Sequence, residues 1–230
     1  MTLQDEKFMS KQWEKWVLDN KSLKYKCHWE KTPANIPEDI FQELNRRRRI
    51  LYNMKLIWIY PNNIWYGNVS IRKPGTNQFY ISGTSTGRLT ELTPEHYCLV
   101  SKVEAKDNQL YCEGPIEASA ESMTHSAVYE SDSTVNAVIH IHNFSTRSTY
   151  MDKVPTTNKS VPYGTPEMSA EAARMFRETN VKETKFFVMG GHEDGVMSFG
   201  KSMDEAGRMI VKYFSQIENP TYACDGKHQD

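Results

Sequence analysis

The stretch NAVIHIHN, Asn136 to Asn143, constrains this chain more tightly than any other. It reads as a β-strand, and successive side chains of a strand point to opposite faces. Ile139 and Ile141 therefore lie on one face, and Val138, His140 and His142 on the other. Two imidazoles side by side on an apolar strand are either a buried polar pair or one part of a metal site. The remainder of the chain has to decide between them.

Around this strand the sequence alternates between helical and extended patterns. IPEDIFQELNRRRRILYNMKL reads as a helix, with Pro37, Glu38 and Asp39 suited to its first turn and Ile40, Leu44, Leu51 and Met54 on one face. Its basic run, Arg46 to Arg49, reads as a solvated or salt-bridged surface. IWIY, NVSIRK and QFYIS are β-branched and aromatic strands separated by the turns YPNN and KPGTN. LTPEHYCLVSK suggests a helical turn leading into a strand, and DNQLYCEG a further strand. ASAESMTHSAVYES has helical composition with Ser119 as a candidate N-cap. SAEAARMFRET reads as a helix, TKFFVMGGH as a buried strand ending in a glycine turn. SMDEAGRMIVKYFSQI is a helix opened by the capping-box pair Ser202 and Glu205. Its stripe of Ala206, Met209, Ile210, Tyr213, Phe214 and Ile217 is a packing face. The order predicts an α/β fold, a single three-layer domain with a mixed, largely antiparallel central sheet flanked by helices. That domain is expected over residues 36–217, with an N-terminal extension over 1–35 that packs on the body and a C-terminal tail over 218–230.

Composition narrows the function. The 230 residues carry a net charge of −1, and no nucleic-acid recognition motif accompanies the arginine run, so neither nucleic acid nor an anionic membrane is an expected partner. No apolar run approaches the roughly 20 residues that span a bilayer, and MTLQDEKFMSKQWEKW lacks the apolar core of a signal peptide. The four cysteines, Cys27, Cys98, Cys112 and Cys224, form no C-x-x-C pair and no disulfide framework. A cytoplasmic location is expected.

Three further features bear on the two histidines. MGGHEDG places His192 at a glycine-rich turn just after a buried strand, where glycines let the backbone bend and ligands approach closely. A third imidazole there would complete a His₃ face with an open position, the pattern of catalytic zinc. Glu121 stands near the start of a helix with His125 one turn later, and a carboxylate beside a metal can ligate it, move a proton, or do each in turn. YGNVS and ISGTSTG are loops of small residues, hydroxyls and an amide, which suit an anion such as a phosphate ester.

Taken in order, GNVSIR, ISGT…ELTPEH, the set Glu121, His125 and Tyr129, NAVIHIHN and H…G…DEA resemble the class II aldolase/adducin family, over about residues 36 to 217. In that family three histidines hold Zn²⁺ in a cleft between subunits of a tetramer. The resemblance implies His140, His142 and His192 as metal ligands. It implies Glu121 as the glutamate that ligates the empty metal and then serves as catalytic acid/base. It places phosphate contacts on Asn68, Ser82, Gly83 and Ser119. The implied function is that of a metal-dependent lyase: retro-aldol cleavage of a small phosphorylated ketose through a zinc-stabilised enediolate, in a homotetramer. Another divalent transition metal fits the same ligands. Relatives with this fold also include epimerases, decarboxylases and dehydratases of related sugar phosphates, and non-catalytic adducin-like interaction modules that have lost the ligands.

The chain departs from the family pattern in three places. Ala120 stands where a second serine usually precedes the glutamate. HEDG inserts Glu193 and Asp194 where the family reads His-Gly. Tyr163 matches a family tyrosine other than the usual aldehyde proton donor, for which Tyr213 or Tyr222 of a neighbouring subunit is the available substitute. Neutral imidazoles are required for ligation, so activity is expected to fall below about pH 6.

Overall fold

A computed structural model describes residues 25–60 and 65–218. The expectations that fall on residues 1–24 of the N-terminal extension, on residues 61–63 of the YPNN turn, and on residues 219–230 of the C-terminal tail, with Tyr222 and Cys224, lie outside the described residues. In chain order the elements are β1 (Lys26–Lys31), α1 (Glu38–Asn53), β2 (Trp58–Ile59), β3 (Trp65–Tyr66), β4 (Asn68–Arg72), β5 (Phe79–Ser82), β6 (Tyr97–Glu104) and β7 (Gln109–Gly114). They continue with α2 (Ser122–Ser131), β8 (Ala137–His142), α3 (Phe144–Tyr150), α4 (Pro166–Glu178), α5 (Val181–Thr184), β9 (Phe186–Val188), β10 (Gly195–Gly200) and α6 (Met203–Glu218).

Eight strands form one sheet in the order β1-β7-β6-β5-β4-β8-β10-β9. Only the β1–β7 pair is parallel; the other pairings are antiparallel. This is the mixed, largely antiparallel sheet expected from the sequence. β2 and β3 form a separate two-stranded ribbon.

The period-2 alternation of the strands divides the apolar residues into two cores, one on each face. On one face Val69, Ile71, Tyr80, Leu99, Ile139 and Ile141 pack with Phe41, Leu44 and Leu51 of α1 and Ala206, Ile210 and Tyr213 of α6. On the other, Phe79, Ile81, Cys98, Val100, Val138 and Met197 pack with Met123, Val128 and Tyr129 of α2 and Met168, Met175 and Phe176 of α4. Each fully buried Leu, Ile or Phe contributes roughly 1.5–3 kcal/mol, so the helices are bound to the sheet chiefly by these stripes. Thr165 caps α4 through Met168 N (3.2 Å), and Asn143 caps α3 through Thr146 N (2.8 Å). Among the described residues no helix is long and apolar enough to cross a membrane.

The structure corrects four local expectations. Ser119 does not cap α2, which begins at Ser122; its Oγ instead accepts the Glu121 amide at 3.4 Å across the preceding turn. Ser202 Oγ accepts the Glu205 amide, but the Glu205 carboxylate reaches back to Lys201 N, one residue earlier than a capping box. In the arginine run, Arg46 and Arg47 pair with Asp204 and Arg49 with Glu91, as a salt-bridged surface would. Arg48 is 1% exposed and donates to the carbonyls of Thr86, Gly87 and Thr90 at 3.0–3.2 Å. It holds the loop after β5 in place. Finally, Tyr213, expected as a substitute donor, is buried in the core and stacked on Phe186 at 4.1 Å between ring centroids.

Candidate metal centre

β8 lies between β4 and β10, with Asn68 opposite His140 on one side and Gly195 opposite His142 on the other. The link from β9 to β10 folds back on itself: the His192 amide donates to Met189 O at 3.1 Å, and Met189 N to Gly195 O at 3.1 Å. This turn carries His192 to the end of β8. Strand alternation and one tight turn therefore bring three imidazoles together.

One nitrogen from each of His140, His142 and His192 lies within 4.8 Å of the others. The Nε2 atoms of His140 and His142 stand 2.8 Å apart, and the three ring centroids are separated by 4.4–5.5 Å. His140 and His192 are buried. Burial disfavours their charged forms, holding His140 well below the usual imidazole range and His192 down at about 4. Neutral rings keep the lone pairs that a metal needs. The donor set fits Zn²⁺, or another borderline divalent ion, better than Mg²⁺ or Ca²⁺, which take oxygen ligands.

Glu121 is buried and ends the turn that precedes α2. Thr124 Oγ1 donates to its Oε2 at 3.2 Å, whereas Oε1 has no hydrogen-bond partner among the described residues. Desolvation pushes its carboxyl up to about 7, with the charge of nearby His142 opposing. A carboxyl that is half ionised near neutral pH, with one oxygen unoccupied, can both take and return a proton.

The four candidate phosphate contacts gather at the same end of the sheet. Asn68 Nδ2 donates to Ser119 Oγ at 3.4 Å, and Asn68 Oδ1 is buried without a partner among the described residues. Ser82 Oγ accepts the Val69 amide at 3.2 Å. Gly83 donates its N–H to His96 O at 2.9 Å. Its lack of a side chain is what matters: a Cβ there would sit 2.4 Å from Ile116. His125 is not part of the cluster. It is a buried neutral base, pushed down to about 3 by desolvation, and its Nδ1 shares a hydrogen bond with Ser70 Oγ (2.7 Å), which also meets Tyr129 Oη (2.8 Å).

Two groups at the centre escaped the sequence reading. Tyr60 Oη touches His142 Nδ1 at 2.7 Å and also Asp194 Oδ2. Tyr66 stacks on the His142 ring at 4.9 Å and 11°. Both tyrosines lie in extended aromatic stretches whose pattern signals strand and nothing more. Asp194, singled out as an insertion, proves to face the imidazoles: Oδ1 is 3.1 Å from His142 Nδ1 and 3.3 Å from His192 Nδ1. Burial alone would raise its carboxyl, but the two histidines outweigh that and hold it well below the usual range. The Tyr163 ring packs on His192 at 4.4 Å. Glu193 is half-buried and pushed up, by desolvation first and Asp194 second.

Residues 62–214 match the family described as the class II aldolase and adducin N-terminal domain. No curated protein sequence gives a significant match. Among solved structures the fold is similar to that of Escherichia coli YgbL, whose reaction is given only as aldolase, epimerase or decarboxylase (TM-score 0.60, 17% identity, 83% of this chain and 92% of that one). It is similar also to the L-fuculose-1-phosphate aldolase of Thermus thermophilus (TM-score 0.58, 18% identity, 84% and 100%). A sugar-phosphate aldolase from Thermotoga maritima superimposes with a TM-score of 0.61 at 13% identity, over 83% and 97% of the two chains.

Proposed function

Since the chain belongs to the class II aldolase and adducin family, we propose that it is a metal-dependent carbon–carbon lyase acting on a small phosphorylated ketose. The observation that carries this reading is three imidazoles within 4.8 Å of one another, two of them buried and neutral, with the buried Glu121 carboxyl, of raised pKa, close enough to interact with His142. His140, His142 and His192 would hold Zn²⁺, or a related divalent ion. Bound there, the metal would supply Lewis-acid polarisation of a substrate carbonyl and its neighbouring hydroxyl.

The remaining chemistry belongs to the chain. Ionised Glu121 accepts a proton from the substrate through Oε1, the atom without another partner; protonated Glu121 returns it. Its raised pKa keeps both forms populated near pH 7. Asn68, Ser82 and Ser119 supply polar side chains for a phosphate, and the missing side chain of Gly83 lets Ile116 pack against that loop. The burial of His140, Glu121 and His192 excludes water from the reacting groups, which strengthens each electrostatic contact.

A second reading, epimerase, decarboxylase or dehydratase on a related sugar phosphate, rests on the same centre, because those reactions share the need for a base beside a polarised carbonyl. The departures at Ala120 and at Glu193–Asp194 favour a substrate unlike that of fuculose-phosphate enzymes. A non-catalytic adducin-like module is disfavoured by the retention of the whole histidine set. By the same resemblance we propose a homotetramer with the centre between subunits.

Elemental analysis of the protein, purified without added metal and again after zinc is supplied, is the primary test. About one zinc per chain, lost in His142→Ala, supports the reading and justifies assaying ketose phosphates for aldehyde release. No zinc under either condition sinks it and favours the module.

A further inference from the structure

His142 Nδ1, Tyr60 Oη and Asp194 Oδ2 form a continuous chain of contacts behind the imidazole cluster. A phenol has one proton, and an ionised carboxylate can only accept. Tyr60 therefore donates to Asp194, and its oxygen is left to accept from His142 Nδ1 at 2.7 Å, which Asp194 Oδ1 also approaches at 3.1 Å. That assignment puts the ring proton of His142 on Nδ1. Its Nε2, 2.8 Å from Nε2 of His140, is then bare.

We infer that Tyr60 and Asp194 act as a two-residue relay that locks His142 in the Nδ1–H tautomer and so prepares its Nε2 for metal. This rests on the reading of His140, His142 and His192 as ligands. Both members of the relay are themselves held. The Asp194 carbonyl accepts the Asn143 amide at 2.8 Å, and the next residue, Gly195, is in register with His142 on the neighbouring strand. Tyr60 packs on Tyr66 at 4.4 Å, and Tyr66 stacks on His142. The imidazole is thus fixed both in plane and in protonation pattern. Its partner ring has no such support: Nδ1 of His140 lacks a hydrogen-bond partner among the described residues. Tyr60 meets the nitrogen of His142 that faces away from His140, so it is a positioning residue and not a proton donor to substrate. The relay also gives the inserted Asp194 a role, since a negative carboxylate behind the ligands offsets part of a dication's charge and raises the basicity of the ring it touches.

The test is zinc affinity, measured by competition with a chromophoric chelator on the full-length parent and on Tyr60→Phe, Asp194→Asn and the double variant. Loss of an outer partner of this kind weakens metal binding roughly 10–100-fold. Tyr60→Phe keeps the ring and its packing, so it should still fold without metal while its zinc affinity falls and the absorption bands of its cobalt-substituted form shift. Because the two residues act as one unit, the double variant should bind zinc no more weakly than Asp194→Asn alone. Parent-like affinity in Tyr60→Phe overturns the relay even if Asp194→Asn unfolds. Additive losses in the double variant overturn it as a single device. A parent that takes up no zinc overturns the ligand assignment itself, an outcome visible before any variant is compared.

Discussion

A carboxyl group sealed from water gives Glu121 a testable signature. Its folded pKa is about 7 against 4.5 when exposed, so the folded state holds the proton more tightly. The stability it contributes is full below about 4.5 and is lost as pH rises through 7, a loss of about 3 kcal/mol at 1.4 kcal/mol per unit. Glu121→Gln should abolish turnover. In the metal-free protein it should also be near-neutral to stability at pH 5 and stabilising by about 3 kcal/mol at pH 8, as denaturant unfolding at the two pH values would show. Equal effects at both would mean that the carboxyl is not desolvated. Arg48 makes the opposite point about charge. Its guanidinium is buried among three carbonyls, with Tyr52 against it at 5.0 Å. Lysine has a single ammonium and cannot reproduce that fork, so Arg48→Lys should cost about 3 kcal/mol of unfolding free energy. A change below about 0.5 kcal/mol would show that the loop after β5 does not depend on it. Nothing local distinguishes Arg48 from Arg46, Arg47 and Arg49; its role comes from which way the helix faces.

At the scale of elements, the turn between β9 and β10 is the least replaceable piece. A Cβ on Gly191 would lie 1.8 Å from the carbonyl oxygen of Val161, and one on Gly190 2.1 Å from that of Thr157. Neither obstacle is a flexible side chain. Gly191→Ala should therefore displace the loop that crosses the turn, destabilise the protein by about 2–3 kcal/mol and weaken zinc binding through His192. Wild-type zinc affinity and melting temperature in that variant would refute the close approach. The glycine pair was legible as a turn in the sequence; the strand of backbone lying across it was not, because that contact joins segments distant along the chain. The helices and strands themselves were mostly legible, since hydrophobic periodicity is a local property. β1 was the exception. KCHWEK belonged to the expected N-terminal extension, and it becomes an edge strand only because β7 offers it a parallel partner. There Cys27 Sγ stands 3.5 Å from Cys112 Sγ, both as free thiols.

For the whole molecule, buried histidines set the acid limit. His192 titrates at about 4 and His125 at about 3, both lowered by desolvation, and His140 lies well below the ordinary range. Each group's folded pKa is below its unfolded value near 6.5, so its stability is full above 6.5 and is lost as pH falls toward the folded values. Three such groups outweigh the opposite slope from Glu121. The melting temperature of the metal-free protein should fall continuously from pH 6.5 to 4.5; a flat profile would contradict the burial of these rings. His140 and His192 stay neutral below pH 6 in the folded chain. Light scattering tests the proposed tetramer, and a monomer at working concentrations would remove it.

The sequence by itself determined that His140 and His142 share a face, because strand alternation is written into neighbouring peptide units. It determined the order of helices and strands for the same reason, and with it the layered α/β fold. Only the tertiary structure decided which groups surround those imidazoles. Tyr60 and Asp194 meet across 134 residues, and Arg48, at 1% exposed, is the most deeply buried of its run. Such contacts depend on how sheet faces and turns are covered, and that depends on the closing of the whole core rather than on any short stretch of chain.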